Sequence, residues 1–366
     1  MLKVIQAPSK YIQGPDALLS IGKYTKTIAD HVFVIIGNSA MKLVGDTVYN
    51  SLEEYDVTSH FEVFGGECSR NEIQRLSDIL KENECQAVIG IGGGKVQDTA
   101  KVVAYESKLP ILIAPTISST NAPSSALSVV YTDDGEFEDY LFFPTNPDIV
   151  LVDTALIAKA PTRFLVAGIG DALATYFEAR ICSTAHKPRM TDGGISRTAM
   201  ALAHLCYETL LEDGYKAKLA VDAGVSTPAV ENVIEASIYL SGLGFENTGL
   251  AAAHSVHNGF TVLEECHHMY HGEKVAFGVI VQLVLENSPN EELDTVLDFC
   301  VQVGLPVTLD QLGVKDGEKL KEKVMAVAKA SCAEGETIHN MPFEVTPEKV
   351  YAAILAADRM GRDWLY

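Results

Sequence analysis

The 366-residue chain predicts an α/β N-terminal domain with a mainly parallel sheet, followed by an all-α C-terminal domain. Three observations carry this reading. Short β-branched runs alternate with helical segments as far as Pro161. Beyond it, long Ala- and Leu-rich periodic stretches take over. The length exceeds what one ordinary core organises, so the change of texture divides the chain into domains 1–161 and 162–366.

Taken in order, HVFVIIG (31–37) reads as a buried strand followed by the turn residues Asn38 and Ser39. Between Asn71 and Asn83 the spacing is helical, with Ile73, Leu76, Ile79 and Leu80 on one face. CQAVIGIGGG (85–94), PILIAPT (110–116) and DIVLVDT (148–154) supply three further strands. Strands alternating with helices imply a parallel sheet covered on both faces. In the second half, GDALATYFEARI (170–181), RTAMALAHLCYETLLEDG (197–214) and EKVYAAILAADRMGR (348–362) have helical periodicity. The cleft between the two halves is the expected place for a ligand. The chain shows no internal repeat and no low-complexity segment.

A net charge of −21 excludes nucleic acid and anionic membrane surfaces as natural partners. The acidity is spread along the chain, so it reads as solubility. No apolar run has the length of a membrane span, and the N-terminal MLKVIQAPSKYIQG lacks the apolar core of a secretion signal. Seven scattered cysteines with no CxxC pair fit reduced thiols, so a cytoplasmic protein is expected.

GIGGGKVQDTAK (90–101) follows a strand and opens a helix. Glycines there let backbone approach a phosphate, and a helix N-terminus offers free N–H groups and partial positive charge. Lys95 adds a cation. A P-loop would need Ser or Thr where Val96 stands, and GxGxxG would need Gly or Ala at Lys95. An anion site and a tight ligand-free turn both remain open. The polar loop ISSTNAPSSALS (117–128) carries hydroxyls suited to phosphate or ribose, or to a solvated turn.

Five of the ten histidines fall between His254 and His271. His254 and His257 lie in a helical, Ala-rich stretch; His267, His268 and His271 lie in CHHMYHGEKVAFG. Such concentration favours a divalent metal site over scattered core histidines, with a carboxylate completing a two-histidine set. Asp171, in an otherwise apolar helical segment, is the candidate; the alternative is a helix N-cap. Cys266 reads as a structural cysteine.

These segments together resemble the glycerol dehydrogenases of the metal-dependent (iron-type) alcohol dehydrogenase family. The matches run through the chain: KYIQGPDAL, FGGEC (64–68), GIGGGKVQDTAK, APTISST, GEFEDYLFFPTNPDIVLVDT, AGIGDALATYFEAR, SGLGFENTGLAAAHSVHNG, HGEKVAFG and AEGETIHNMP. The resemblance implies a Rossmann-like N-terminal domain in a dehydroquinate synthase-like architecture. It implies NAD as cofactor and Zn2+, or Fe2+, as metal, held by Asp171, His254 and His271, with His257 near but not ligating. The cofactor pyrophosphate would rest on Gly92, Gly93, Gly94 and Lys95. Thr116, Ser119, Ser125, Leu127 and Tyr131 match further cofactor contacts, and Phe245 would line the substrate pocket. A homo-oligomer, often an octamer, is also implied.

Two positions depart from the family pattern. The loop reads STNAP, with Asn121 where the glycerol enzymes have Asp, and the first long strand ends in Gly37-Asn38 where they have GD. Asn38 keeps hydrogen bonding to ribose without the charge, and no arginine lies near to hold a 2′-phosphate, so NAD is expected over NADP. Asn121 removes a charge that would repel a substrate carboxylate. The expected reaction is reversible hydride transfer between NAD and a small secondary alcohol, glycerol to dihydroxyacetone. The alternative is a D-lactate (2-hydroxy acid) dehydrogenase that reduces pyruvate. A lyase on the same scaffold would need a basic cluster that the helical half lacks, and a redox-inert sensor would not keep all three metal ligands.

Overall fold

The structure is a computed structural model that describes residues 2–185 and 193–365. It divides into two compact units: Gln6–Pro161 with Ala220–Gly242, and Met1–Ile5 with Thr162–Leu219 and Leu243–Tyr366. The strands are β1 (Lys10–Gly14), β2 (His31–Ile36), β3 (Thr58–Val63), β4 (Ala87–Gly92), β5 (Ile111–Pro115), β6 (Leu127–Tyr131), β7 (Phe137–Phe142) and β8 (Ile149–Asp153). The first unit's helices are α1 (Ile21–Thr25), α2 (Asn38–Glu54), α3 (Arg70–Glu82), α4 (Gly94–Ser107) and α5 (Thr154–Ile157). Then follow α6 (Thr162–Ala185), α7 (Arg197–Asp222), α8 (Pro228–Glu235), α9 (Ser241–Thr248), α10 (Ala252–Phe260), α11 (His271–Leu285), α12 (Asn290–Val303), α13 (Leu320–Ser331) and α14 (Pro347–Trp364).

In the first unit six parallel strands form one sheet in the order β1-β8-β5-β4-β2-β3. β4, β5 and β8 are buried at every residue, which is why they read as unbroken apolar runs. Successive side chains of a strand point to opposite faces, and two cores result. Val32, Val34 and Ile36 pack with Val44, Val48 and Leu52 of α2. Phe33 and Ile35 pack with Ile73, Leu76 and Leu80 of α3 and Ala100 and Val103 of α4. Ile79, on the same predicted face, is only partly buried. β1, β3 and the β6–β7 hairpin were not anticipated. β1 and β3 are edge strands with half-exposed, mixed sequences, and Phe137, Tyr140 and Phe142 of β7 are exposed.

The chain leaves β2 toward β3 on one side and returns to β4 on the other. That reversal opens a crevice beyond the C-terminal ends of β2 and β4. Gly37 N donates to Ile91 O (3.0 Å) and Thr116 N to Gly92 O (3.1 Å), so three strand ends share one edge.

The division at 161/162 needs one correction. Residues 220–242 cluster with the α/β unit and not with the helical one. Gln13 Nε2 donates to Glu231 O (2.9 Å) and Glu231 Oε2 (3.2 Å), and the Tyr11 and Tyr239 rings lie 4.5 Å apart, tying α8 and the following turn to β1. A helical periodicity says nothing of which sheet edge a helix covers.

Buried Asp153, at the end of β8, caps α5 by accepting from Leu156 N (3.0 Å) and also accepts from Asp16 N (3.2 Å) and Leu18 N (3.1 Å). Asp153→Ala strips three amides of their acceptor, and each buried unsatisfied donor costs about 1–3 kcal/mol. A clear fall in the denaturation midpoint is expected by chemical unfolding, larger than for Asp153→Asn, which keeps one acceptor oxygen. Equal, small shifts for both variants contradict this account.

Candidate active site

α6 is apolar around most of its circumference and correspondingly buried. Asp171 lies in its middle at 1% exposure, so the N-cap alternative is wrong. A buried carboxylate there needs partners. Two come from other helices: His254 Nε2 lies 3.3 Å and His271 Nε2 3.1 Å from Asp171 Oδ1.

Glycines make this convergence possible. A Cβ on Gly272 would stand 1.8 Å from Ala167 O, and one on Gly170 2.3 Å from Gly272 O, so α6 and α11 touch backbone to backbone beside Asp171 and His271. A Cβ on Gly278 would stand 2.3 Å from Ala253 O, where α11 meets α10. α10 carries His254, and its N-cap, Ala251, has no side chain to satisfy the first amides. Neighbouring helices do so. Glu178 Oε1 accepts from Ala251 N (2.8 Å) and His254 N (3.0 Å), and Gln282 Oε1 accepts from Ala252 N (3.1 Å) and Ala253 N (3.0 Å).

Glu178 has a second role. Fully buried, its Oε2 lies 2.6 Å from His254 Nδ1. A proton held there leaves Nε2 as the nitrogen that faces Asp171. Sequence reasoning missed Glu178, although it stands seven residues after Asp171, two turns along the same helical face.

Asp171, His254 and His271 each offer one ligand atom, all within 4.8 Å of one another. Ligands about 2.0–2.2 Å from a tetrahedral ion sit about 3.3–3.5 Å apart, so the set fits a divalent cation with little adjustment. Asp171 and His254 stabilise each other's charged forms. Burial alone would raise the Asp171 carboxyl, but His271 and His254 hold it well below the usual carboxylate range. Burial works against charge on His254, yet Glu178 and Asp171 push its pKa up to about 10. His257, its ring 4.1 Å from that of His271, is driven down by burial and by the neighbouring His271 and Lys274. It is not part of the three-ligand set. His267 instead contacts Thr261 O (2.9 Å).

In the α/β unit, Asn38 opens α2 at the end of β2, Gly92–Gly94 lead from β4 into α4, and Thr116 follows β5. The α4 N-cap, Gly93, supplies no side-chain cap. No atom lies within 4 Å of a Cβ built on Gly94, and only Ile117 within that range of one on Gly93. Ser118 Oγ, Ser124 Oγ and Gln97 Oε1 are buried without a hydrogen-bond partner. An open helix N-terminus without a side-chain cap fits a phosphorylated cofactor. Lys95 is engaged by a residue the sequence reading left without a role: its Nζ lies 2.5 Å from Glu67 Oε2 and 5.6 Å from the Tyr131 ring centroid. Ser119, Ser125 and Leu127 belong to the segment after β5, where Ala122–Ser124 form a 3-10 turn. In the same segment Asn121 Nδ2 donates to Ser241 Oγ (3.0 Å). Phe245 lies buried in α9 of the helical unit. Among the described residues no helix is long and apolar enough to cross a membrane.

The family model described as iron-containing alcohol dehydrogenase matches residues 8–154. A glycerol dehydrogenase of Citrobacter freundii is 60% identical over 365 residues, all of both chains. The structure of a glycerol dehydrogenase from Schizosaccharomyces pombe superposes with a TM-score of 0.95 at 38% identity, over 99% of this chain and 92% of that one. That of a probable glycerol dehydrogenase from Sinorhizobium meliloti 1021 gives 0.92 at 43%, over 99% of both. The 2-hydroxy acid alternative is not supported by these matches.

Two substitutions test the metal geometry. Glu178→Gln should keep the fold and weaken zinc binding about 10–100-fold in a competition titration; unchanged affinity removes Glu178 from the site. In an exposed helix Gly→Ala stabilises by up to about 1 kcal/mol. Gly272→Ala should instead destabilise by about 1–3 kcal/mol and weaken zinc binding, because α6 and α11 must part. A stabilised Gly272→Ala protein with native zinc affinity overturns the close-crossing account.

Proposed function

We propose a function from one premise: the chain belongs to the glycerol dehydrogenase family of iron-containing alcohol dehydrogenases. It is an NAD-dependent, metal-dependent oxidoreductase that interconverts glycerol and dihydroxyacetone. The observation that carries the reading is the convergence of Asp171, His254 and His271 on one buried point. Two imidazoles and one carboxylate suit zinc, with ferrous iron the other ion of the right chemistry; magnesium and calcium prefer all-oxygen shells.

When bound, the metal supplies Lewis acidity toward the substrate hydroxyl and NAD the hydride acceptor. The chain's own residues do the rest. Asp171 brings the anionic ligand, and Glu178 sets which His254 nitrogen faces it. Gly92–Gly94 and Lys95 receive the cofactor pyrophosphate at the α4 N-terminus, and Asn38 accepts the adenosine ribose. Thr116, Ser119, Ser125, Leu127 and Tyr131 complete the cofactor contacts. Asn121 meets the substrate hydroxyls from the loop after β5, and Phe245 adds apolar wall. The same reading, supported by the family resemblance, includes a cytoplasmic homo-oligomer.

Purified protein with glycerol and NAD+ should generate the absorbance of reduced nicotinamide. Chelation should abolish turnover and zinc restore it. The ratio of kcat/KM values should favour NAD over NADP, and Asn38→Asp should widen it. No turnover of glycerol by the zinc-loaded protein, or a preference for NADP, refutes the reading.

A further inference from the structure

Two turns beyond the glycine turn, α4 buries an ion pair the mechanism does not use. Lys101 is 3% exposed and Asp98 8%, with Lys101 Nζ 3.0 Å from Asp98 Oδ1. The ammonium also donates to the carbonyls of Ala122 (3.0 Å), Ser125 (3.5 Å) and Leu127. Asp98 holds the start of β6: its Oδ2 accepts from Val129 N (3.2 Å) and its carbonyl from Ser128 Oγ (3.0 Å). On the opposite side the same segment rests on Gly242, where a Cβ would stand 3.0 Å from Ser124 Cβ and 3.3 Å from Asn121 O.

Burying a lysine carries a desolvation cost that only good partners offset. Here the partners are carbonyls of the segment that leads from β5 into β6, which is also held by Asn146 Nδ2 donating to Ser124 O (2.8 Å) and Phe143 N to Ala126 O (2.8 Å). The lysine that collects them stands on the helix whose first turn offers the anion cradle. α4 and the segment 121–129 are thereby fastened into one body.

We propose that Lys101, seated by Asp98, is a positioning residue for cofactor binding: it keeps the segment bearing Asn121, Ser125 and Leu127 in register with the Gly92–Gly94 cradle. The inference rests on the nicotinamide-cofactor reading above. Lys101 touches neither cofactor nor substrate; it acts through the carbonyls it holds.

The test is a binding split in the zinc-loaded enzyme, read by calorimetry. ADP needs the cradle alone, whereas NAD+ needs the cradle and the segment. Lys101→Met should weaken NAD+ at least tenfold, change ADP less than threefold, and leave zinc stoichiometry at the wild-type value. Lys101→Gln, which keeps N–H donors without the charge, should recover part of the loss. The Asp98→Asn/Lys101→Met pair removes the stranded carboxylate and should repeat the split if Lys101→Met alone does not fold. Native NAD+ affinity in any folded variant lacking the lysine overturns the proposal, as does an equal loss of ADP and NAD+. Wild-type enzyme that binds neither nucleotide would instead sink the cofactor reading itself.

Discussion

The closeness of three helix backbones governs the helical unit of this protein. A carboxylate on α6 and two imidazoles on α10 and α11 offer atoms within 4.8 Å of one another, and their helices meet backbone to backbone. Gly170, Gly272 and Gly278 stand at the points where those backbones meet. The cost is paid in missing side chains, and the buried carboxylate is stabilised by the histidines the approach delivers. At each of these three contacts a Cβ would meet a neighbouring backbone carbonyl.

Capping and ligation are one arrangement in this site. The unsatisfied amides of α10 require acceptors whatever the function, and Glu178 and Gln282 provide them from both flanking helices. Glu178 then uses its remaining oxygen on the His254 ring. One carboxylate therefore fixes where the helix starts and how its histidine is turned. In the α/β unit the opposite choice holds. α4 has no side-chain cap, and a Cβ on Gly94 in its first turn would meet nothing within 4 Å.

Much of this was legible in the chain. β2, β4, β5 and β8 were read at nearly their observed limits because strands covered on both faces must be apolar without interruption. β1 and β3 were not, because edge strands carry mixed sequences that look like loops. The clustering of His254 and His271 signalled a metal, and Asp171 stood out as a charge in an apolar helix. Glu178 did not stand out, since a glutamate in a helix is ordinary until a partner is seen; its spacing from Asp171 was the available signal. Lys101 was concealed in the same way, as one more basic residue on a helix. The return of residues 220–242 to the sheet depends on contacts with β1 that no periodicity encodes.

The separation of the three donors along the chain makes their convergence a property of the tertiary fold. His271 lies 100 residues from Asp171. Closing a loop of that length costs only about 4 kcal/mol, so chain separation alone does not decide what holds the donors together. What brings the donors within 4.8 Å of one another is the packing of α6, α10 and α11, with glycines at the backbone contacts. In a zinc finger the ion drives folding. In this chain the donors are held by helix packing and by Glu178, interactions that do not require the ion.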